Sequence, residues 1–319
     1  MEKESFFRSN RGCILTSLIC TVLWGSAFPV LKITYSELNM ISTDYNGKIF
    51  LAGIRFLLAA IMIFAYVKFF QKESLRIKRK DFGWILILGL LQTTFGYFFF
   101  YNGLANTSAM KGAILGTLEN FLVVIIAHFI YKDDKINHRK VIGLTTGLLG
   151  VIIVNWGGKF SLDFKFNGEG FMILSAICSA AATFLAKEKG KNINIFLMSA
   201  WQMLLGSILM VLWGIPVINN GGLNFTPLAF SLLIYSALLS AVAFSLWYVL
   251  LKYHKAGDIS LYKFMIPVSG AILSVMFIPE ESLTWNVILS LILVSLGIIL
   301  INKKNTDKSK RNALSSKVS

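Results

Sequence analysis

Apolar residues run through this chain in ten stretches, each close to the roughly 17–25 residues a helix needs to cross the hydrocarbon core of a bilayer. They fall near 12–32, 49–70, 82–102, 108–131, 139–156, 169–187, 194–215, 227–251, 257–279 and 283–302. Polar and charged residues collect between them, mostly in short connections. The longer ones, at 33–48, 156–168 and 214–226, are rich in Gly, Asn and Ser and read as surface loops. The pattern predicts an all-α integral membrane protein of ten transmembrane helices. Beyond them, 303–319 is Lys and Ser with almost nothing apolar, which predicts a disordered basic tail.

The pattern also repeats, at a lag of about 147 residues, and self-similarity of this kind bears on the whole fold. Gly150 recurs as Gly297, Asn155 as Asn302, Tyr101 as Tyr248 and Leu104 as Leu251, while Ile49-Phe50-Leu51 reappears as Ile195-Phe196-Leu197. Two halves follow, 1–156 and 157–302, with five helices each. An odd number of spans forces the halves into opposite orientations. That is the inverted-repeat plan of many secondary transporters, with the substrate near the midplane between the halves.

Charge supplies the orientation. Arg76, Lys78, Arg79 and Lys80 mark one inner loop, the loop around Pro216 carries no charge, and the loop at Glu280 and Glu281 is acidic. Lys and Arg gather in cytoplasmic loops, so both termini are expected in the cytoplasm and the chain in the cell membrane as a multi-pass protein. The same distribution accounts for the net charge of +15. Nucleic acid is not an expected partner, because no basic patch is interleaved with base-stacking aromatics on a soluble module. Hydrophobic residues make up 55% of the chain and charged ones 15%, with a mean hydropathy of +0.67. That leaves too little polar surface to coat a soluble globule.

Other readings find less support. Arg8 and Arg11 precede an apolar run as in a signal peptide, but the run from Cys13 to Leu31 is too long for a signal-peptide core. Cys13, Cys20 and Cys178 all lie in apolar stretches and read as small packing residues. There is no phosphate-binding Gly-rich loop, HExxH pair or nucleophile elbow, and His128, His138 and His254 lack the spacing of metal ligands. No enzymatic activity, cofactor or metal is expected.

Candidate chemistry comes from the few polar groups inside the apolar stretches. A charge at bilayer depth costs about 2.5–3.5 kcal/mol even on lenient insertion scales, which makes it a functional hypothesis by default. Glu119 stands near the middle of its stretch, on a helical face with Gly112, Gly116 and Val123 that is expected to look into the bundle. It is a candidate for proton coupling or for contact with a cationic group of a substrate, against the alternative of a structural partner for Arg55. Asn120 follows it. Lys263, on a face with Pro267, Gly270 and Ser274, is a candidate for a substrate carboxylate, against snorkelling to the surface or pairing with Asp258. Arg55 is expected in a structural or gating ion pair. Ser236, Ser240, Phe244 and Trp247 share one face of the eighth helix, hydroxyls beside rings, as suits an amphipathic ligand. Trp24 with Phe28, and Gln92 with Gly96, form comparable stripes on the first and third helices. Gln202 is a polar group that needs a partner.

Several of these residues also carry a resemblance. Trp24-Gly25-Ser26-Ala27-Phe28, Arg55-Phe56, and Gly143 followed by Leu149-Gly150-Val151-Ile152 resemble the EamA-type families of the drug/metabolite transporter superfamily over about residues 12–302. The resemblance implies ten helices with both ends inside and a central cavity lined mainly by helices 1, 3, 4, 6, 8 and 9. It also implies export of amino acids and related metabolites. The chain departs from the family pattern at Glu119-Asn120, opposite Pro267, and at Ser179, opposite Trp24. The expected function is secondary transport of a small-molecule substrate across the lipid bilayer, with export of an amino-acid-like solute against protons, by a monomer or homodimer. Uptake of a nucleoside, sugar or organic cation is the alternative, and a membrane-embedded enzyme or a scaffold is a more distant one.

The topology is testable. Single cysteines at Lys159 and Asn219 should react with an impermeant thiol reagent on intact cells, and those at Arg76, Lys189 and Lys308 should not. Labelling at Arg76 from outside would invert the arrangement.

Overall fold

A computed structural model of the chain describes residues 2–41, 44–156, 163–219, 221–279 and 282–302. The expected tail at 303–319, the acidic pair Glu280 and Glu281, and Lys159 lie outside them. Regular structure among the described residues is helical throughout. In chain order the main helices are α1 (Asn10–Glu37), α2 (Tyr45–Phe70), α3 (Arg79–Ala105), α4 (Lys111–Ile130), α5 (His138–Val154), α6 (Phe166–Asn192), α7 (Ile195–Trp213), α8 (Pro227–Tyr253), α9 (Ala256–Phe277) and α10 (Trp285–Asn302). A short helix, Glu2–Arg8, precedes α1. Eight of these, all but α5 and α10, are long and apolar enough by themselves to cross a membrane. α5 has 17 residues, two of them basic in its first turn, and α10 has 18. They lie along one another.

The helix starts follow local chemistry. Ser9, Asp44, Ser108, Asn137, Asn194 and Thr226 each accept, through a side-chain oxygen, an amide N–H from the first turn that the helix itself leaves unpaired. Pro227 follows Thr226 at the first helical position, where its missing N–H costs nothing. Several helices run past the stretches expected from hydropathy, α6 spanning Phe166–Asn192 against the expected 169–187. α1 runs five residues past 32 to Glu37, and within this extension the Thr34 hydroxyl bonds the Val30 carbonyl at 2.7 Å. It ends where Asn39 turns left-handed, at φ 52°. Hydropathy locates the bilayer, and a polar helix end that emerges from it is invisible to that signal.

The bundle is apolar on the outside and mixed within. On α1, Leu15, Ile19 and Val22 form an exposed stripe, while Ser17, Cys20 and Thr21 are buried. Without water outside there is no hydrophobic drive to bury leucine, and close packing of small residues holds the helices together instead. α1 crosses α9 at Gly25, where an added Cβ would stand 2.8 Å from the Gly270 nitrogen. α3 crosses α7 at Gly89 and Gly206, where a Cβ on Gly206 would meet the Gly89 carbonyl oxygen at 2.6 Å.

The helix contacts have a regularity of their own. α2 lies along α7 and α5 along α10; α1 packs against α8 and α9, as α6 packs against α3 and α4; α2 touches α8, as α7 touches α3. Exchanging the first five helices with the last five leaves this set of contacts unchanged.

Close approach at Gly206 predicts that Gly206→Val destabilises the fold by about 1–3 kcal/mol through overpacking. Gly83 has no atom within 4 Å of its would-be Cβ, so Gly83→Ala should leave the melting midpoint in detergent unchanged or raise it. Equal behaviour of the two variants would contradict the assigned crossing.

Candidate functional site

Two helices are broken at matching places, and each break carries one of the intramembrane charges. α4 is interrupted at Thr117: its amide and hydroxyl both bond back to the Ile114 carbonyl, at 3.1 and 2.7 Å, and helix resumes at Leu118. Glu119 sits in the first turn of the resumed helix, where the positive end of the helix dipole favours a carboxylate. In α9, the α-helical turn Ala256–Ser260 tightens into a 3₁₀ segment, Leu261–Phe264, before helix resumes at Met265. Lys263 lies in that segment. The continuous face expected for Gly112, Gly116, Glu119 and Val123 is thus divided at Thr117.

The two charges meet. Lys263 Nζ is 2.6 Å from Glu119 Oε1, with both side chains only 14% and 15% exposed. Thr183 on α6 adds a hydrogen bond to the same oxygen at 3.3 Å. Asp258, the other partner expected for Lys263, lies instead 3.4 Å from Lys140, and Lys140 in turn is buried against Asp134. Snorkelling is excluded by the same geometry. The ammonium also lies over two indoles, 5.7 Å from the Trp24 centroid and 5.1 Å from that of Trp247. A cation over an indole face at this range gains about 0.5–2 kcal/mol.

Aromatic rings continue from there. Trp24 is 5.3 Å from Trp247 and 5.2 Å from Phe244, edge to face. Phe244 lies 6.2 Å from Phe56, which lies 4.7 Å from Tyr97. Three donors beside the ion pair, the indole N–H groups of Trp24 and Trp247 and the hydroxyl of Tyr248, are buried with no hydrogen-bond partner among the described residues. Buried donors are nearly always paired in native structures. A site with two opposite charges, open donors and aromatic walls suits a small amphipathic molecule that bears both a positive and a negative group.

The expected site residues divide. Trp24, Glu119, Phe244, Trp247 and Lys263 come together, with Asn120 buried beside Glu119 and Ser240 one turn of α8 beyond Phe244. Phe28 does not join them: it is 46% exposed, and its ring covers Gly270 at the α1–α9 crossing. Gly96 is at the α3–α6 contact, its carbonyl accepting from the Ser175 hydroxyl at 2.8 Å. Gln92 lies in the π-helical segment Leu90–Phe95 of α3. The neighbouring Thr93 donates its hydroxyl to the Gln202 side-chain oxygen at 2.9 Å, and the Gln202 amide nitrogen is buried with no partner among the described residues.

Arg55 departs from the expected ion pair. Among the described residues no carboxylate reaches it. Its Nε donates to the Ser240 hydroxyl at 2.9 Å, and its guanidinium lies 4.7 Å from the Phe56 centroid and 5.7 Å from that of Tyr97. Thr183 and Tyr248 are site residues that sequence reasoning passed over. The repeat pairs Tyr248 with Tyr101, which marked it as a repeat position without marking it as functional.

A pocket of about 500 Å³ opens at the ends of α1, α4, α6, α8 and α9 on the side of the N-terminus. Asp134, Lys187, His254 and Asp258 are among its walls. Lys187 closes one wall by bonding the carbonyls of Leu251 and His254, at 2.9 and 2.6 Å, at the end of α8.

Comparison with known proteins places this architecture in a class. The EamA-like transporter family matches residues 11–156 and again 166–303. The chain belongs to that family and is a multi-pass membrane transporter. Similar relatives include the uncharacterized transporter YoaV of Bacillus subtilis, 23% identical with 88% of this chain and 93% of that protein covered. Another, from Synechocystis, is also described as an uncharacterized transporter, 22% identical over 95% and 94% of the two chains. A solved crystal structure superposes with a TM-score of 0.73 at 16% identity, covering 92% of this chain and 96% of the other, so the fold is shared.

The pair should behave as one unit in a double-mutant cycle. Glu119→Gln and Lys263→Gln each strand a charge in the bundle, and the double variant strands none, so the two losses of stability should fall short of additivity by about 1–3 kcal/mol. Additive losses in thermal unfolding would separate the residues. Trp247→Ala, which empties a buried position, should cost about 3–5 kcal/mol and is not a clean probe of binding; Trp247→Phe is.

Proposed function

We propose that the chain exports amino acids or related amphipathic solutes from the cell in exchange for protons. The observation that carries this reading is the Glu119–Lys263 pair at 2.6 Å between two broken helices. A zwitterion brings its own cation and anion, so its ammonium group replaces Lys263 at Glu119 and its carboxylate replaces Glu119 at Lys263. A proton competes for the same carboxylate. Glu119 holds either the proton or the ammonium group, and mutual exclusion at one group is what couples two solutes moving in opposite directions. When Glu119 is protonated, Lys263 keeps its charge over the faces of Trp24 and Trp247.

Ten spans in two inverted repeats, 1–156 and 157–302, with both termini cytoplasmic in the cell membrane, complete the proposal. It is supported by the family match to two separate stretches and by the contact set that survives exchange of the halves. The matched breaks at Thr117 and Leu261–Phe264 support it further. In this arrangement α5 and α10, packed together, act as a paired support outside the pathway.

In proteoliposomes with an imposed pH gradient, the wild type should accumulate a zwitterionic amino acid. Glu119→Gln should still exchange it across the membrane but lose at least about tenfold of the gradient-driven accumulation, because the amide cannot take up a proton. Accumulation by Glu119→Gln at the wild-type rate would sink the coupling role, and a solute converted rather than moved would sink transport.

A further inference from the structure

Arg55 presents a different problem from the ion pair. It is 3% exposed, in a helix that the fold places in the bilayer, and among the described residues no carboxylate neutralises it. A buried cation without a counter-ion is one of the most costly arrangements a fold can hold. Arg55 contacts the Ser240 hydroxyl and two aromatic faces, and the hydroxyls of Tyr97 and Tyr101 also interact with it. All of these partners are neutral, and they leave the charge itself without a counter-ion.

The same residue borders a small cavity. About 10 Å³ in volume, it is walled by Arg55 together with Thr34, Tyr35, Lys48, Tyr101 and Ser236 among others. By volume it accommodates about one water-sized atom. Arg55, Lys48 and four hydroxyl-bearing side chains surround that space, the Thr34 hydroxyl being already given to the Val30 carbonyl. No acidic side chain lines it. The chemistry therefore asks for a single anionic acceptor atom.

The position of the cavity is equally specific. Ser236, Ser240, Phe244 and Trp247 form one stripe of α8: Ser236 lines the cavity, Ser240 holds Arg55, Phe244 packs between Trp24 and Phe56, and Trp247 lies under Lys263. Phe56, Phe244 and Tyr97 separate the two basic stations. On α1, Trp24 is three helical turns from Tyr35, which places the cavity on the far side of these rings from the ion pair.

We propose that Arg55 is the centre of a second, anion-binding subsite beyond the Phe56–Phe244 partition, which takes either a small free anion or one oxygen of the carboxylate of a transported solute. The second source rests on the amino-acid reading above; the first does not. Arg55 supplies the charge, the Ser240 hydroxyl fixes the plane of its guanidinium, and the tyrosine and serine hydroxyls complete the shell.

Purified protein in detergent, held at constant ionic strength, separates the possibilities. The probes are sodium chloride and sodium formate, each compared with the sodium salt of HEPES, a bulky sulfonate without a carboxylate. With saturating probe the wild-type melting midpoint should rise by about 2–4 °C over the sulfonate. A rise with chloride identifies a free-anion site, and a rise with formate alone identifies a carboxylate subsite. Arg55→Lys should keep part of the shift and Arg55→Gln should lose it. Should Arg55→Gln fail to fold, Ala52→Val, which fills the cavity while leaving the charge in place, should lose the shift as well. The neutral double variant Glu119→Gln/Lys263→Gln should keep it. No shift with either probe in the wild type, or a shift that Ala52→Val retains, overturns the subsite; loss in the neutral double variant moves the anion to Lys263 and overturns it too. A persistent anion shift in protein that fails to move amino acids would leave the subsite standing and remove the transport reading.

Discussion

An ammonium and a carboxylate 2.6 Å apart inside a bilayer-spanning bundle set the conditions for the rest of this structure. Neither charge is affordable alone at that depth, and together they are stable only if backbone, aromatic faces and hydroxyls are arranged around both. The breaks in α4 and α9 serve that end. The break in α4 sets Glu119 at the positive end of the resumed helix, and the break in α9 sets Lys263 in the 3₁₀ segment between two helical pieces. Irregular backbone at this depth is tolerated only where protein or a water-lined cavity surrounds it. Hence the site is in the middle of the bundle, and the helices that carry it are the ones that cannot be straight.

The surrounding rings follow from the same requirement. Trp24 and Trp247 give Lys263 a second place to rest its charge, which makes the ion pair separable without stranding the lysine. A pair that is too well satisfied would lock the protein. One with an alternative on the lysine side is able to open, and the proposed exchange needs that freedom. Elsewhere in the bundle, glycine crossings such as Gly89 against Gly206 bring neighbouring helix backbones close together.

Much of this was legible in the sequence, for identifiable reasons. Charge at bilayer depth is so costly that Glu119 and Lys263 declared themselves, and the α8 stripe declared itself through hydroxyls and rings at helical spacing. Their pairing with each other was not legible. Helical-wheel reasoning assumes an unbroken helix and says nothing of which inward-looking residues meet, and the turn at Thr117 and the 3₁₀ segment at Leu261–Phe264 interrupt both helices beside these residues. Arg55 was matched to a carboxylate because buried cations usually have one, and the structure gives it Ser240 and two rings instead. Phe28 followed Trp24 in the stripe by spacing, yet one helical turn toward the α1–α9 crossing was enough to take it out of the site.

The central claim is that the Glu119–Lys263 contact is the element that substrate and proton each displace. Solid-state NMR on protein in lipid, labelled with ¹⁵N at lysine and ¹³C at glutamate, reads that contact directly as a dipolar coupling between Lys263 Nζ and the Glu119 carboxyl carbon, assigned by its loss in Glu119→Gln. The account predicts a coupling that is present in substrate-free protein at neutral pH and lost both on acidification and on adding a transported zwitterion at constant pH. A coupling that survives both treatments while transport continues would contradict it, and would return the pair to the role of a fixed structural strut.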